Sequence, residues 1–257
     1  MDIKNKFVMI TGANRGIGLA FAEVCAKENA HLILAIRKQD AQLIKKLKSL
    51  GAVSVEIIES NLASRAGVNA VAKKMQDYEI DLLFNNAGQL TGGLIETQPL
   101  DDIYQMLQVN VNALIQLTQA VIPSMLKRKS GKIINHASVS AVMHFPCAST
   151  YAASKAAVWA FTDCVEQELK GTGVSTLCLF TPGIKTRMFD EIDVLYTKNI
   201  NIVDSSISPE IYAKQILTAV KNDESYLEPS GATGAAFRAA RHFKGFFDWG
   251  IGKKFKR

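Results

Sequence analysis

The chain has 257 residues, of which 48% are hydrophobic, and a formal net charge of +6. The length suits one large α/β domain, and no segment reaches the roughly 18 consecutive apolar residues that a membrane span needs. The first residues lack the pattern of a secretory signal, so we expect a cytoplasmic protein. Residues 231–257 carry seven basic residues and one acid, which accounts for the whole excess of charge. The remainder therefore gives no charge argument for nucleic-acid binding.

Apolar runs typical of buried strands alternate along the chain with stretches typical of helices. About seven strands are predicted, in FVMITG, HLILAIR, VSVEIIES, IDLLFNNAG, KIINHAS, VSTLCLF and SYLEP. Helices are predicted near residues 16–28, 40–50, 67–78, 99–127, 150–170 and 209–222. This alternation indicates a single Rossmann-type, doubly wound parallel sheet with helices on both faces. We expect the domain to cover residues 1–230 and a basic aromatic tail to cover residues 231–257.

The first predicted strand leads into the segment TGANRGIG, with glycines at positions 12, 16 and 18. Glycines between a strand and a helix allow a tight turn and a close approach of a pyrophosphate to the helix N-terminus, where free N–H groups favour anions. The segment therefore predicts a dinucleotide site, with a ligand-free glycine turn as the alternative.

The end of the second strand predicts which coenzyme is bound. An acid there would hydrogen-bond a ribose 2′-hydroxyl, whereas a cation would accommodate a 2′-phosphate. This strand ends at Ile36 and Arg37, and no acid follows until Asp40. Together with Arg15 in the glycine turn, Arg37 favours NADP(H). The alternative is that both are solvated surface arginines.

The segment YAASK places Tyr151 and Lys155 four residues apart, which is one turn of a helix. A free tyrosine has a pKa of about 10, and a nearby ammonium group lowers the pKa of a phenol. We therefore expect Lys155 to make Tyr151 a better proton donor and acceptor near neutral pH. Proton transfer of this kind accompanies hydride transfer between a nicotinamide and a carbonyl group.

These motifs, with NNAG at 85–88 and Ser138 thirteen residues before Tyr151, resemble the single-domain short-chain dehydrogenases/reductases over about residues 5–190. The resemblance implies that Tyr151 is the general acid/base, that Lys155 also holds the nicotinamide ribose, and that Ser138 polarises the substrate carbonyl. It implies that Asn110, with Asn112 as the competing choice, positions a proton-relay water. It further implies a set of NADP(H)-binding residues: Gly12, Asn14, Arg15, Gly16, Ile17, Gly18, Arg37, Asn61, Leu62, Asn86, Ala87, Gly88, Tyr151, Lys155, Pro182, Gly183, Ile184 and Thr186.

The chain departs from the family pattern at two of these positions. Asn61 stands where the family usually has aspartate at the adenine, and its amide oxygen can still accept a hydrogen bond. In PGIKT, only two residues separate Gly183 from Thr186, where the family commonly has three. A contact of Thr186 with the carboxamide therefore requires the loop to adjust.

An apolar set of residues is expected around the carbonyl group: Leu90, Leu94, Val139, Met143, Phe145, Met188 and Phe189. Such a set favours a lipophilic ketone or aldehyde, interconverted with its alcohol, although these residues could equally pack an ordered lid. His136 and His144 flank Ser138 and fit no family role, so we interpret them as structural.

The cysteines form neither a CxxC pair nor a zinc-like spacing with the histidines, so we expect free thiols and no metal site. Cys25, Cys164 and Cys178 lie in apolar sequence and are predicted to be buried. Cys147 lies in a polar loop and is assigned no role.

The predicted tail interleaves basic residues with Phe237, Phe243, Phe246, Phe247, Trp249 and Phe255. This composition suits packing at a subunit interface, contact with an anionic membrane surface, or a solvated end. By resemblance we expect a homodimer or homotetramer acting on a small-molecule carbonyl or alcohol. Two other hypotheses stay open: a non-catalytic nucleotide-sensing protein on the same fold, and a scaffold whose tail is the functional part.

Overall fold

The protein folds around a parallel β-sheet. The structure, a computed structural model, describes residues 1–188 and 207–243 together with residues 245, 253 and 255. Within this part of the chain seven parallel strands pair in the order β3-β2-β1-β4-β5-β6-β7. They are β1 (Phe7–Thr11), β2 (His31–Ile36), β3 (Ser54–Glu59), β4 (Leu82–Asn85), β5 (Gly131–His136), β6 (Val174–Leu179) and β7 (Tyr226–Leu227). The predicted doubly wound sheet is confirmed.

The helices before residue 222 lie close to their predicted positions, and a further helix at Gly231–His242 was not predicted. They are α1 (Gly16–Lys27), α2 (Ala41–Ser49), α3 (Arg65–Lys74), α4 (Leu100–Leu107), α5 (Leu114–Arg128), α6 (Ser149–Glu168), α7 (Pro209–Lys221) and α8 (Gly231–His242). Side-chain oxygens cap three of these helices at their N-termini: Asp40 on α2, Ser64 on α3 and Ser208 on α7. By contrast, α1 has no side-chain cap, which leaves its first N–H groups available to a ligand.

The central strands are apolar throughout because helices cover both faces of the sheet. In β1, Val8 and Ile10 pack into the core on the side of α1 and α7, while Met9 packs on the side of α3 and α5. The alternation places these two layers of core on opposite faces. The carboxyl ends of the strands are thereby fixed along one edge, where the candidate site lies.

A π-helical segment, Gln108–Ala113, interrupts the single long helix predicted over residues 99–127. It separates α4 from α5 without a break in helical direction. Such π segments occur frequently at functional sites, and the sequence pattern, which is apolar at helical spacing throughout, gave no indication of this one.

Helix α8 packs the first half of the predicted tail onto the domain. Phe237 is fully buried, with its ring 4.9 Å from that of Phe180, and Ala240 lies in the same cluster. Arg241 covers the ring of Trp159 at 5.4 Å. The aromatic residues at positions 246, 247 and 249 lie outside the described residues.

The prediction that Cys164 is buried was wrong. Cys164 lies on the outer face of α6 and is exposed, whereas Cys147 is buried in the loop before α6 with a positive φ of 68°. Its side chain packs beside Ala148 and apolar neighbours, which the polar sequence around it does not indicate. Cys25 and Cys178 are buried as predicted.

Among the described residues, no helix is long and apolar enough to cross a bilayer.

Candidate active site

A cleft of about 430 Å³ opens at the carboxyl edge of the sheet. In the sheet, the chain runs from β1 to β2 in one direction and from β4 to β5 in the other. The cleft lies between β1 and β4, where the direction changes. Open α/β sheets bind ligands at this position. Twelve residues of the predicted coenzyme set line it: Gly12, Asn14, Arg15, Gly16, Ile17, Arg37, Asn61, Leu62, Asn86, Ala87, Gly88 and Thr186.

The glycine turn between β1 and α1 has the shape that a dinucleotide pyrophosphate requires. Gly12 and Gly16 adopt φ values of 68° and 57°, which favour glycine. A Cβ atom on Gly12 would lie 3.0 Å from the Cα atom of Ala87, and one on Gly16 would lie 3.3 Å from Cγ2 of Thr186. The uncapped N–H groups of α1 begin at this turn, so the residues present fit a phosphate-bearing nucleotide.

The NNAG segment is fastened to the glycine turn by hydrogen bonds. The backbone N–H groups of Asn86 and Ala87 donate to the Thr11 hydroxyl at 3.0 and 2.9 Å. The Asn86 amide Nδ2 donates to the carbonyls of Thr11 and Gly12 at 2.9 and 3.3 Å. These bonds hold the two loops on either side of the cleft at a fixed separation.

The arginines predicted to recognise a 2′-phosphate both lie at the mouth of this cleft. Arg15 and Arg37 are exposed, and neither forms an ion pair with a carboxylate among the described residues. At the adenine position, Oδ1 of Asn61 accepts a hydrogen bond from the Ala63 N–H at 3.1 Å, while Leu62 is buried. Positive charge and hydrogen-bonding groups are thus present at this end.

Helix α6 and the end of β5 bring Ser138, Tyr151 and Lys155 together. The Ser138 hydroxyl donates a hydrogen bond to the Tyr151 oxygen and itself accepts one from the Ser140 N–H at 3.1 Å. The Lys155 ammonium lies 5.7 Å from the centre of the Tyr151 ring and donates to the His136 carbonyl at 2.7 Å. One turn of helix separates the two ionisable groups, as the spacing predicted.

The acidities of this pair differ from the expectation. Burial raises the pKa of Tyr151 to about 12, although the hydrogen bond from Ser138 opposes the shift. Burial likewise lowers the pKa of Lys155 to about 8. Desolvation disfavours the charged form of both groups, so the predicted lowering of the phenol pKa by the lysine is wrong. At neutral pH Tyr151 is therefore protonated and Lys155 is mostly charged.

Of the two candidate asparagines, only Asn110 reaches the catalytic helix. Its Oδ1 accepts from the Gln89 N–H at 2.8 Å, and its Nδ2 donates to the Gln89 carbonyl at 3.0 Å and to the Ser154 hydroxyl at 3.1 Å. Ser154 donates in turn to the Tyr151 carbonyl at 2.7 Å. Asn112 is exposed and bonds Gln108 on the same π segment.

Several predicted coenzyme residues stand back from the cleft lining. Gly18 is buried within α1 against Asn86 and Gly12, and Ile184 is buried in a short parallel bridge to Ile207. Pro182 and Gly183 lie in the loop after β6 and do not line the cleft. Thr186 lines it beside Gly16, which places its methyl group near the phosphate end.

The predicted substrate residues fall into two neighbouring apolar clusters. Val139, Met143 and Phe145 pack with Phe237 of α8, and Leu90 and Leu94 pack on Cys147 and Ala148. Phe255, from the end of the chain, joins the second cluster. Met188 lines the nucleotide cleft instead, and Phe189 lies outside the described residues.

His136 is interpreted as structural from the sequence, but in the structure it lies in the cleft. His136 ends β5, lines the cleft and hydrogen-bonds Asn86. Its position two residues before Ser138 was a signal that could have found it, because alternate residues of an extended segment point to the same side.

The fold and this cleft define a nucleotide-binding α/β protein. The family model described as short chain dehydrogenase matches residues 6–194. An uncharacterised oxidoreductase of Staphylococcus saprophyticus is 33% identical over 229 residues, 87% of this chain and 93% of that protein. The ketoacyl reductase HetN of a Nostoc species is also 33% identical, over 86% of this chain and 77% of its own length.

Among solved structures, a short-chain dehydrogenase of Sphingobium yanoikuyae in complex with NADPH has the same fold. Its TM-score is 0.80 at 24% identity, with 98% of this chain and 97% of that chain covered. The chain belongs to the short-chain dehydrogenase family of oxidoreductases.

Proposed function

We propose that the protein is an NADP(H)-dependent oxidoreductase that interconverts a lipophilic ketone or aldehyde and the corresponding alcohol. The observation that carries the proposal is the meeting of Ser138, Tyr151 and Lys155 beside a cleft whose glycine turn fits a nucleotide. A nicotinamide coenzyme, when bound, supplies or accepts the hydride. The protein's own residues manage the proton and the charge on the carbonyl oxygen.

In the reductive direction, Tyr151 donates its phenolic proton to the carbonyl oxygen of the substrate. Its raised pKa keeps the phenol protonated at neutral pH, so it is ready to act as an acid. Ser138, already within hydrogen-bonding distance of Tyr151, donates to the same oxygen and stabilises its developing negative charge. The charged Lys155 then stabilises the phenolate that remains.

The role of Asn110 in the proposed reaction is to position helix α6, which carries Tyr151. Its side chain ties the Gln89 backbone to Ser154, which is hydrogen-bonded to the Tyr151 carbonyl. These bonds fix the first turns of α6 relative to the loop after β4. The cleft residue Gly88 lies between the two sides, because a Cβ atom there would be 3.5 Å from Asn110 Oδ1 and 3.9 Å from Lys155 Nζ.

The preference for NADP(H) is supported by Arg15 and Arg37, which stand at the cleft mouth where a 2′-phosphate would lie. A lipophilic substrate is supported by the two apolar clusters around Phe145 and Cys147. The name of the Nostoc relative, a ketoacyl reductase, adds support for reduction of a carbonyl group.

We further propose that the chain forms a homodimer or homotetramer. Leu100 and Tyr104 on α4 are 69% and 71% exposed, and Ile115 on α5 is 36% exposed. Exposed apolar side chains that lie together mark sites of association. Helix α4 packs beside α6. Sedimentation at two or four times the subunit mass of 28.1 kDa tests this proposal.

A panel of aliphatic and aromatic ketones and aldehydes, followed by NADPH oxidation, tests the catalytic proposal. Tyr151→Phe removes the proton donor, so turnover of any accepted substrate should fall by about a hundredfold or more while coenzyme affinity is retained. The matched variant Tyr78→Phe changes a tyrosine whose hydroxyl bonds Glu56 on β3, away from the cleft, and should leave turnover unchanged. Tight coenzyme binding without turnover across the panel would instead favour a nucleotide-sensing protein.

A further inference from the structure

His136 lies between the loop after β4 and helix α6. Its ring stacks on Phe84 at 6.0 Å, its Nδ1 lies 3.3 Å from Oδ1 of Asn86, and its carbonyl accepts from Lys155. The residue is half-buried and lines the nucleotide cleft. It therefore contacts the loop that holds the glycine turn on one side and the catalytic lysine on the other.

The hydrogen bonds of Asn86 determine which nitrogen of the His136 ring carries a proton. The Asn86 Nδ2 group donates to two backbone carbonyls, Thr11 O and Gly12 O, and only the NH₂ end of the amide can do so. Oδ1 is therefore the end that faces His136, and Nδ1 of the imidazole must donate to it. The other nitrogen, Nε2, then presents a lone pair.

The free Nε2 atom opens into the cleft. Nε2 has no hydrogen-bond partner among the described residues, and it is not fully buried. Burial and the charge of Lys155 both lower the pKa of His136 well below its usual range, so the ring stays neutral. A neutral ring nitrogen repels phosphate oxygens and accepts hydrogen bonds from hydroxyl or amide groups.

We propose that His136 is a coenzyme-binding residue whose Nε2 accepts a hydrogen bond from a donor group on the nicotinamide riboside half of the coenzyme. This inference rests on the proposed function. The phosphates would be held at the N-terminus of α1, on the far side of Asn86, whereas His136 adjoins Lys155 on the catalytic side. The ribose hydroxyls and the carboxamide NH₂ are the donors that this half of the coenzyme carries.

The test compares the intact coenzyme with a fragment that lacks the nicotinamide riboside. Titration calorimetry of His136→Leu should show a Kd for NADPH raised about three- to tenfold, the effect of one lost hydrogen bond, with the Kd for 2′,5′-ADP unchanged. His136→Gln places an amide near Nε2 and should recover most of the affinity. If wild type prefers NADH, then NADH and 5′-ADP are the pair to use.

The matched control is His31→Leu. His31 also stacks on a phenylalanine, Phe7 at 4.5 Å, and its Nδ1 lies 2.9 Å from the Ser54 hydroxyl, but it begins β2 at the opposite edge of the sheet. It should leave both dissociation constants unchanged. Equal weakening of NADPH and 2′,5′-ADP by His136→Leu, or no change in either, overturns the inference. A wild-type chain that binds neither coenzyme overturns the proposed function, and this inference with it.

Discussion

At the scale of single residues, burial acts on Tyr151 and Lys155 in the same sense, because it disfavours the charged form of each. The phenol pKa rises to about 12 and the ammonium pKa falls to about 8. The pair is therefore suited to donate a proton below pH 8, when the phenol is neutral and the lysine is charged. In the opposite direction, Tyr151 would have to lose a proton that its surroundings hold firmly. At neutral pH the free protein thus holds the proton that the proposed carbonyl reduction requires.

The pH dependence of reduction follows from Lys155. Its lowered pKa means that the ammonium is present below about pH 8 and is lost as the pH rises through that value. We expect kcat/KM for reduction to fall above about pH 8, because a neutral amine no longer stabilises the phenolate. Lys155→Arg keeps a positive charge to far higher pH and should remove this limb. A wild-type profile that stays flat to pH 10 would contradict the assignment.

Arg37 is expected to decide the coenzyme preference. Replacing it with aspartate removes a charge-assisted contact with a 2′-phosphate and supplies an acceptor for a 2′-hydroxyl. The ratio of NADPH to NADH affinity should fall by about ten- to a hundredfold, the effect of one such contact. Lys127→Asp makes the same change of charge at the end of α5, before β5 and far from the cleft, and should leave the ratio alone. An unchanged ratio in Arg37→Asp would contradict the assignment of Arg37 to the 2′-phosphate.

At the scale of elements, the π-helical segment Gln108–Ala113 controls which asparagine faces the site. Asn110 turns inward to Gln89 and Ser154, while Asn112, two residues later, is exposed. The Asn110 side chain forms two hydrogen bonds with Gln89 in the loop after β4 and one with Ser154 on α6, and so joins the two. Local helix geometry thus links the position of Tyr151 to the floor of the cleft.

This link predicts different effects for two similar substitutions. Asn110→Ala leaves the Gln89 N–H and carbonyl without their partner, so we expect a loss of about 1–3 kcal/mol in the free energy of unfolding. Turnover should fall as well, because α6 loses its anchor. Asn112→Ala should change stability by less than about 0.5 kcal/mol. Urea unfolding and steady-state kinetics on both variants measure this, and equal effects would show that the anchor is unimportant.

At the scale of the whole molecule, the end of the chain returns to the domain. Helix α8 buries Phe237 against Phe180 in the cluster that also holds Met143, and Phe255 reaches the cluster around Cys147. Both clusters contain residues that are expected from the sequence around the carbonyl group, among them Met143 in the first and Leu94 in the second. We therefore propose that C-terminal residues contribute to the walls around the substrate.

Phe237 and Phe243 provide a test of how firmly α8 belongs to the core. Phe237 is fully buried and Phe243 is 70% exposed. Phe237→Ala should lower the free energy of unfolding by about 3–5 kcal/mol because it leaves a cavity. Phe243→Ala should cost less than about 0.5 kcal/mol. Chemical denaturation measures both values, and a small effect at Phe237 would mean that α8 is only loosely attached.

The sequence by itself determined the order of strands and helices and the motifs of the site. Apolar runs separated by amphipathic stretches are local signals, and so are the glycines of TGANRGIG and the four-residue spacing of Tyr151 and Lys155. The structure alone decided the burial of Cys147, the exposure of Cys164, the π segment at Asn110 and the free nitrogen of His136. It also decided that desolvation raises the pKa of Tyr151. These properties depend on which distant residues surround a side chain, and a pattern of neighbours along the chain does not contain that information.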